Sequence, residues 1–335
     1  MTRKKDNNLK SEISVVEIGN KFANLLLPPK LNLFFKVRYF SFICYFAAKI
    51  SIKFKNQDNI FWVRDIILAL FLSLFSKSNV LCEIHRYPKG IQLYILRLLL
   101  RRKNVIVTSI TKILADKVTS LSKKNKSIVI LPMAVPKEEL KLLNENKIVR
   151  ENKIVYLGHS RSGDSRIDYN ILNEAAKIVF IEFPNWRMQI IGIDSKEFQS
   201  NISSPLSENI ELIGIIPREE TINFVSTATI GIVVYPNSPW FIDSFPVKIV
   251  EYAASGLAIV ASDTPAHRNL LDDSKCIFYN VNSYNDLGFS INLLISQPNK
   301  IKYLSSNAKS WATSFTYERR VLQAISNFRK THIID

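Results

Sequence analysis

The sequence predicts an α/β protein built from two Rossmann-like domains. At 335 residues the chain is longer than one hydrophobic core usually supports, so two domains are expected. An apolar fraction of 47% is typical of a folded globular protein. In the second half, short apolar runs alternate with segments of helical periodicity. Strands separated by helices of this length pair in parallel through right-handed crossovers, which predicts sheets covered by helices on both faces.

The second half shows this alternation most clearly. We predict five strands, at residues 153–157, 186–192, 210–213, 230–235 and 257–262. We predict helices between them at 171–180, 219–226 and 246–255. Ligands of such sheets bind beyond the carboxyl ends of the strands, so the loops there are the first place to look for a site.

The first half has a looser form of the same pattern. Strands are predicted at 14–18, 60–63, 79–84, 104–108 and 128–131, with helices at 93–102 and 113–121. A final helix is predicted at 317–329 and could pack back onto the first domain. The expected division is a first domain (1–135), a polar linker (136–152), a second domain (153–312) and a closing helix (313–335).

The net charge of +16 is concentrated in the first half. Residues 1–150 contain 28 Lys and Arg against 10 Asp and Glu, whereas residues 151–335 contain 17 against 19. No helix-turn-helix, zinc or RNA-recognition signature accompanies the basic residues, so nucleic acid is not expected as a partner. An anionic membrane surface or a pyrophosphate-bearing lipid acceptor fits better. A general lysine bias on solvated faces fits the charge equally well.

The apolar segments do not predict a membrane span. Residues 31–50 are interrupted by Lys36, Arg38 and Lys49, and the run at 66–75 is too short to cross a bilayer. A helix lying in the membrane interface and an ordinary core helix both fit the first segment. No secretory signal is evident, and we expect a cytoplasmic protein with peripheral membrane contact as an option.

The three cysteines predict neither a disulfide framework nor a zinc site. Cys44, Cys82 and Cys276 lie far apart, each in an apolar run. They are typical of buried thiols in a reducing compartment. No metal-carboxylate motif is evident, and no bound metal or cofactor is expected.

The segment from Asp243 to Gly256 carries the most functional information. Pro246 suits the first turn of a helix and Gly256 suits the helix end. The unpaired N–H groups at such a helix start form a ready anion site, and Lys248 in the first turn can reach a phosphate. Glu251 shares a face with Lys248 and can accept hydrogen bonds from sugar hydroxyls. On spacing alone, an ordinary i,i+3 ion pair explains the same two residues.

This segment resembles the donor signature of the retaining glycosyltransferases of family 4, which have the two-domain GT-B fold. The family pattern places two acidic residues with seven positions between them, and here Asp243 and Glu251 occupy them, with Asp where Glu is usual. The resemblance implies that Glu251 holds the ribose hydroxyls of a nucleoside-diphosphate sugar. It also implies that Asp243, Ser244 and Phe245 face the donor sugar and diphosphate, with Asp243 in a catalytic role.

The resemblance extends to other loops. The loop after the first strand of the second domain begins at Gly158, and its Arg161 and Arg166 are candidates to neutralise the diphosphate. A solvated basic loop is the simpler interpretation of those two arginines. The backbone around Pro217, in residues 215–218, stands where the family meets the nucleobase.

Two elements of the first half also resemble the family. Val63-Arg64-Asp65 and the run from Glu83 to Pro88 match motifs that end strands facing the interdomain cleft. The resemblance places His85 near the reacting sugar as a catalytic residue, with Arg64 and Glu83 in the same cleft. A lone histidine is otherwise more often structural.

The resemblance therefore implies a retaining glycosyltransferase that moves a sugar, a hexose by family habit, to a saccharide or lipid-linked acceptor in bacterial surface-polysaccharide synthesis. There is a departure from the family pattern, because only Gly19 and Gly90 precede residue 150 and the start of the chain resembles the family's second strand. Either the family's first strand with its Gly-rich turn is lost or the N-terminus is truncated, and both leave acceptor binding open. A sugar-nucleotide epimerase and a non-catalytic sugar-nucleotide-binding homologue are the alternatives. A nicotinamide dehydrogenase is disfavoured, because no G-x-G-x-x-G turn follows a strand.

Overall fold

The computed structural model describes residues 33–54, 60–122, 128–138, 140, 149–159, 169–238 and 241–332. Within them the chain forms two parallel α/β domains, as the sequence predicts. The predicted strand at 14–18 and both loop arginines, Arg161 and Arg166, lie outside the described residues.

The first domain contains a four-stranded parallel sheet in the order β1-β2-β3-β4. Three of its helices, α1 to α3, pack side by side. Its elements are α1 (Leu33–Lys53), β1 (Ile60–Val63), α2 (Ile66–Phe75), β2 (Asn79–Ile84), α3 (Ile91–Leu100), β3 (Val105–Ser109), α4 (Lys112–Thr119) and β4 (Val129–Ile130).

The second domain contains a six-stranded parallel sheet in the order β10-β9-β8-β5-β6-β7. Its elements are β5 (Lys153–Leu157), α5 (Tyr169–Glu182), β6 (Arg187–Ile191), α6 (Ser195–Ser200), β7 (Ile210–Gly214), α7 (Arg218–Thr227), β8 (Ile230–Val233), α8 (Val247–Ala254), β9 (Ala258–Ser262), α9 (Pro265–Arg268), β10 (Cys276–Tyr279), α10 (Tyr284–Ser296) and α11 (Pro298–Ala312). The chain winds from β5 to β7 in one direction and then returns to β8 on the other side of β5. Such a reversal opens a crevice at the carboxyl ends of β5 and β8.

The last helix, α12 (Tyr317–His332), returns to the first domain, as predicted. Alternate residues of a strand point to opposite faces of its sheet. Val80 and Cys82 pack with helices α2 and α3, whereas Leu81 between them packs against Ala324 and Phe328 of α12. The closing helix therefore covers the face of the first sheet that the other helices leave open.

The two chain crossings between the domains lie side by side. Val135, on the way out of the first domain, forms a bridge with Thr316, on the way back. The Val135 N–H donates to the Phe315 carbonyl at 2.9 Å, and the Tyr317 N–H donates to the Val135 carbonyl at 3.3 Å. The two domains are thus joined at one paired strip of backbone.

The apolar segment near residue 40 forms the 21-residue helix α1. Among the helices that the structure describes, none is both long and apolar enough to cross a membrane. Ile43 and Ala47 of α1 are buried in the core of the first domain, whereas Tyr45 and Ile52 are exposed. One side of α1 therefore belongs to the hydrophobic core, and the other side exposes apolar side chains.

Candidate functional site

Helix α8 begins at the crevice of the second domain. Its buried residues Ile249, Val250 and Ala253 pack against the sheet, and the hydroxyl of Tyr252 accepts a hydrogen bond from the Leu157 N–H at 2.7 Å. This bond ties the helix to the carboxyl end of β5. Pro246 precedes the first turn, and no side chain caps that end. The Ile249 N–H donates to the Pro246 carbonyl at 3.0 Å, so the N–H groups of Val247 and Lys248 are the ones available to an anion beside the end of β5.

Lys248 extends from this first turn across the end of β5. Its ammonium group donates to the Leu157 carbonyl and lies 4.8 Å from the centre of the Tyr156 ring and 5.7 Å from that of Tyr235. Burial lowers the pKa of Lys248 to about 8, although the Glu251 carboxylate opposes the shift. A buried cation of this kind favours an anionic ligand, which would restore the solvation that the ammonium group has lost.

Glu251 lies one turn further along α8. Its side chain is 18% exposed, and Oε1 accepts a hydrogen bond from Arg218 Nη1 at 2.9 Å. These two residues line a shallow pocket together with Leu157, Thr221, Ile222 and Ala254. A carboxylate has about four acceptor positions, so Glu251 can receive further hydrogen bonds while it is paired with Arg218.

Asp243 and the two residues after it lie between the domains. The Asp243 carboxylate accepts a hydrogen bond from Lys117 of the first domain at 2.5 Å. The Ser244 hydroxyl donates to the Phe241 carbonyl at 2.7 Å, and Phe245 is buried against Phe315, with ring centres 5.9 Å apart. The carboxylate that the sequence placed at the donor sugar is therefore held by a lysine of the other domain.

Gly158 follows β5 at a close approach of two backbones. A Cβ on Gly192, which ends β6 with a φ of +83°, would lie 2.6 Å from the Gly158 carbonyl oxygen. A Cβ on Gly158 itself would overlap the Ile193 side chain. Glycine is thus needed where the loop leaves the sheet. Pro217 immediately precedes α7 and is followed in the chain by Arg218, which lines the pocket.

In the first domain, a separate cluster of charges surrounds Glu83. The carboxylate is fully buried and accepts hydrogen bonds from Trp62 Nε1 at 2.8 Å and from Arg320 Nη2 of the closing helix at 2.6 Å. His85 Nε2 contacts the same carboxylate, and Arg64 Nε lies 3.5 Å from it. The structure thus brings the three predicted cleft residues Arg64, Glu83 and His85 together.

Two opposing effects set the pKa of Glu83. Burial raises it, but the hydrogen bond and charge of His85, the charge of Arg320 and the Trp62 hydrogen bond together hold the pKa below its ordinary value. Glu83 is therefore a carboxylate that orients its neighbours, since its own acceptor positions are already used. The His85 side chain is 28% exposed and that of Arg64 is 62% exposed, so these two members of the cluster reach solvent.

Among the partners that sequence reasoning missed are Lys117, Arg320 and the side chain of Arg218. Lys117 is 126 residues from Asp243, and Arg320 is 237 residues from Glu83, so neither pair has a local signature. Arg218 gave a usable signal, because it begins a helix at the carboxyl end of β7, where a parallel sheet places ligands.

Within the described ranges, no group of three or more His, Cys, Asp or Glu side chains is arranged to hold a metal ion. The three cysteines are free thiols, and burial raises the pKa of Cys82 to about 12. Cys44 is only half-buried, so the expectation of three buried thiols is met by Cys82 and Cys276 alone.

Two parallel α/β domains, a crevice at the strand reversal and a returning last helix define the GT-B class of fold. The family model described as "Glycosyl transferases group 1" matches residues 141–311, which is about half of the chain. The chain belongs to this family of glycosyltransferases. The matched range contains residues 243–256, helix α7 and every strand of the second sheet.

A curated relative of the chain is TuaH from Bacillus subtilis (strain 168), a glycosyltransferase assigned to teichuronic acid biosynthesis. The two are 25% identical over 138 residues, which cover 38% of this chain and 33% of the relative. The similarity thus spans about a third of the relative's length.

Solved structures share the fold along most of the chain. A glycosyltransferase from Rickettsia africae ESF-5 matches with a TM-score of 0.69 at 14% identity, covering 94% of this chain and 88% of that one. Anabaena Alr3699/HepE, in complex with UDP and glucose, matches with a TM-score of 0.64 at 13% identity, covering 85% and 81%. These likenesses confirm the predicted GT-B fold.

Proposed function

We propose that the protein is a glycosyltransferase that moves a sugar from a nucleoside-diphosphate sugar to a saccharide or lipid-linked acceptor. The observation that carries the proposal is the arrangement at the start of α8. An uncapped helix N-terminus, a buried ammonium group and a partly exposed carboxylate lie in sequence along one side of the crevice. A diphosphate followed by a ribose presents anionic oxygens and then hydroxyl groups in that order.

In this proposal Lys248 and the first N–H groups of α8 bind the diphosphate. Glu251 accepts the ribose hydroxyls, and the pocket it shares with Arg218 takes the nucleobase near the backbone of Pro217. Gly158 begins the loop whose Arg161 and Arg166 are proposed to add positive charge. Cleavage of the donor leaves negative charge on the diphosphate, so groups fixed in advance around it lower the barrier.

Asp243 and His85 are the proposed groups at the reacting sugar. Asp243 lies at the domain boundary just before α8, with Ser244 and Phe245 continuing towards the helix. His85 is held by the Glu83 carboxylate, which fixes the orientation of its ring, and Arg64 completes that side of the cleft. We propose transfer of a hexose with retention of configuration and without a bound metal, in the cytoplasm, as part of surface-polysaccharide synthesis.

The proposal is tested by calorimetric titration with UDP-, GDP- and ADP-sugars. UDP-sugars come first, because Anabaena HepE was solved with UDP and glucose. We expect one nucleotide class to bind to the wild type and to lose affinity in Glu251→Ala by about 1.5–3 kcal/mol, the value of a hydrogen bond to a charged group. Glu182→Ala, which removes an exposed carboxylate at the end of α5, is the matched control.

No binding of any sugar nucleotide to a folded sample contradicts the proposal. Conversion of the donor without any acceptor would instead indicate an epimerase, and this is measured by chromatography of the incubated donor. Transfer to a lipid or saccharide extract distinguishes a glycosyltransferase from a homologue that only binds the donor.

A peripheral contact with an anionic membrane is also proposed, and helix α3 supports it. Ile91, Tyr94 and Leu98 recur on the exposed side of this helix, and Arg97 and Arg101 lie beside them. The opposite side, with Leu96 and Leu99, is buried in the core. Apolar groups flanked by arginines on a water-facing side match the interface of an anionic bilayer.

Sedimentation with vesicles of phosphatidylglycerol or of phosphatidylcholine tests the contact. We expect binding to the anionic vesicles alone, weakened by salt and by the variant Tyr94→Ser/Leu98→Ser. Tyr303→Ser, which removes an exposed tyrosine of the second domain, is the control. Equal binding by all variants contradicts the assignment to α3.

A further inference from the structure

Residues 243–245 of the second domain, which lead into α8, form the donor segment of the proposed function. Helix α4 of the first domain contacts this segment at two points. The Lys117 ammonium group lies 2.5 Å from Asp243 Oδ1, and the Thr111 hydroxyl donates to the Asp243 carbonyl at 3.3 Å. Thr111 also caps α4 through the Leu114 N–H. Both the side chain and the backbone of Asp243 are therefore bound by one rigid element of the other domain.

The next residues of the donor segment rest on the strip that joins the domains. Phe245 packs against Phe315, whose ring centre is also 4.4 Å from that of Trp311. Phe315 lies in the returning crossing, and its carbonyl pairs with Val135 of the outgoing one. The stretch from Asp243 to Phe245 is thus held by the first domain at one end and by the interdomain strip at the other.

We propose that Lys117 is a positioning residue whose ion pair with Asp243 couples closure of the two domains to the placement of the donor segment. The inference rests on the proposed function, because the segment it positions leads directly into the first turn of α8. When the domains are together, α4 holds Asp243, the residue proposed to lie at the reacting sugar, whereas α8 and its Lys248 are held by the core of the second domain. When the domains separate, the segment loses this support.

The electrostatics of the pair favour this role over an ordinary surface contact. The Asp243 side chain is only 10% exposed and therefore depends on a counter-charge, whereas Lys117 is 42% exposed and can move away with its own domain. The pair also joins residues 126 positions apart, so the fold of either domain alone cannot form it. The ion pair can therefore form only when the two domains are in contact.

Hydrogen–deuterium exchange without any ligand tests the coupling directly. We expect Lys117→Ala to speed the exchange of amides in residues 241–250, because the segment is released on one side. Lys117→Arg should keep exchange near the wild-type rate. Lys112→Ala is the matched control, since it removes an exposed positive charge from the same helix. Unchanged exchange in Lys117→Ala overturns the proposal, whatever the catalytic activity.

Kinetics with the donor then separates positioning from binding. We expect Lys117→Ala to lower kcat about tenfold, as for a lost closure contact, while the calorimetric Kd of the donor changes less than about twofold. Lys117→Arg should recover most of kcat. In an Asp243→Asn background, the Lys117→Ala change should have almost no further effect. An equal loss of donor affinity and kcat overturns the proposal, because Lys117 would then belong to the donor site itself.

The two proposals fail in different ways. If the wild type binds no nucleotide sugar, the proposed function is wrong, while the exchange of residues 241–250 still decides whether Lys117 holds the segment. If the wild type binds and converts the donor but Lys117→Ala changes neither exchange nor kcat, the proposed function is retained and the proposed coupling is wrong.

Discussion

Two glutamates, one in each domain, have opposite surroundings. Glu83 of the first domain is 0% exposed and is bound by donors from β1, the loop after β2 and the closing helix. Glu251 of the second domain is partly exposed, and Arg218 is its ion-pair partner. The Glu83 carboxylate has used its acceptor positions within the fold, whereas Glu251 has acceptor positions left, as its proposed ribose-binding role requires. We therefore expect burial with full pairing to mark a structural carboxylate and partial exposure to mark a ligand-binding one.

The largest effect is expected when Glu83 is removed. Glu83→Ala leaves the Arg320 guanidinium, which is 11% exposed, without its counter-charge. Breaking a buried pair in this way costs about 3–5 kcal/mol of unfolding free energy, measured by urea denaturation. Glu83→Gln keeps part of the hydrogen bonding and should lose less. A stable Glu83→Ala protein would show that the first-domain cluster does not hold the closing helix.

A smaller effect than that of Glu83→Ala is expected from removal of the Lys248 charge. It concerns the affinity for the donor and not the free energy of unfolding. Lys248→Met keeps the length of the side chain and removes the charge, so donor binding should weaken by about 1.5–3 kcal/mol in calorimetry. The folded pKa of about 8 lies below the ordinary value of 10.5, so the unfolded chain binds more protons between these pH values. The buried ammonium group therefore opposes folding below pH 8, and Lys248→Met should not lower stability.

The same pKa gives the donor interaction a pH dependence. As pH rises through about 8 the free protein loses the Lys248 proton, and binding of a diphosphate should draw a proton back. Calorimetry at pH 8.5 in buffers of different ionisation enthalpy measures this uptake, with pH chosen about half a unit above that pKa. Uptake of the same size in Lys248→Met would assign the proton to another group.

The smallest effect is expected at Arg218. Its guanidinium is more than half exposed, so the ion pair with Glu251 is screened by solvent. Arg218→Ala should change the free energy of unfolding by less than about 1 kcal/mol. A loss as large as that expected for Glu83→Ala would remove the contrast between the two glutamates.

The positions of most strands along the chain and of the last helix could be predicted from sequence, because they depend on local periodicity. The strand at 153–157 has the predicted bounds, and the helix at Pro246–Ser255 begins and ends one residue inside them. Helices α9 to α11 and strand β10 were not predicted, although Thr264 and Ser283 cap α9 and α10 with the residue types expected at helix starts.

The site was predictable only as far as its parts are local. Lys248 and Glu251 share one helix, so their spacing placed them on one face, and the family resemblance then favoured a donor site over an ordinary i,i+3 ion pair. Lys117 and Arg320 lie far along the sequence from their partners, Asp243 and Glu83. Only the tertiary fold brings each pair together. The assignment of Asp243 to the donor sugar rested on resemblance, and nothing in the sequence pattern predicted its ion pair with Lys117.

The return of α12 to the first sheet has a consequence for how the chain is made. Leu81, Ile106 and Leu131 are synthesised early, but Ala324 and Phe328, which cover them, leave the ribosome almost two hundred residues after Leu131. Every strand of the second domain precedes α12 in the chain. During synthesis the second domain can therefore close its core first, whereas the first domain carries an uncovered apolar face for most of that time.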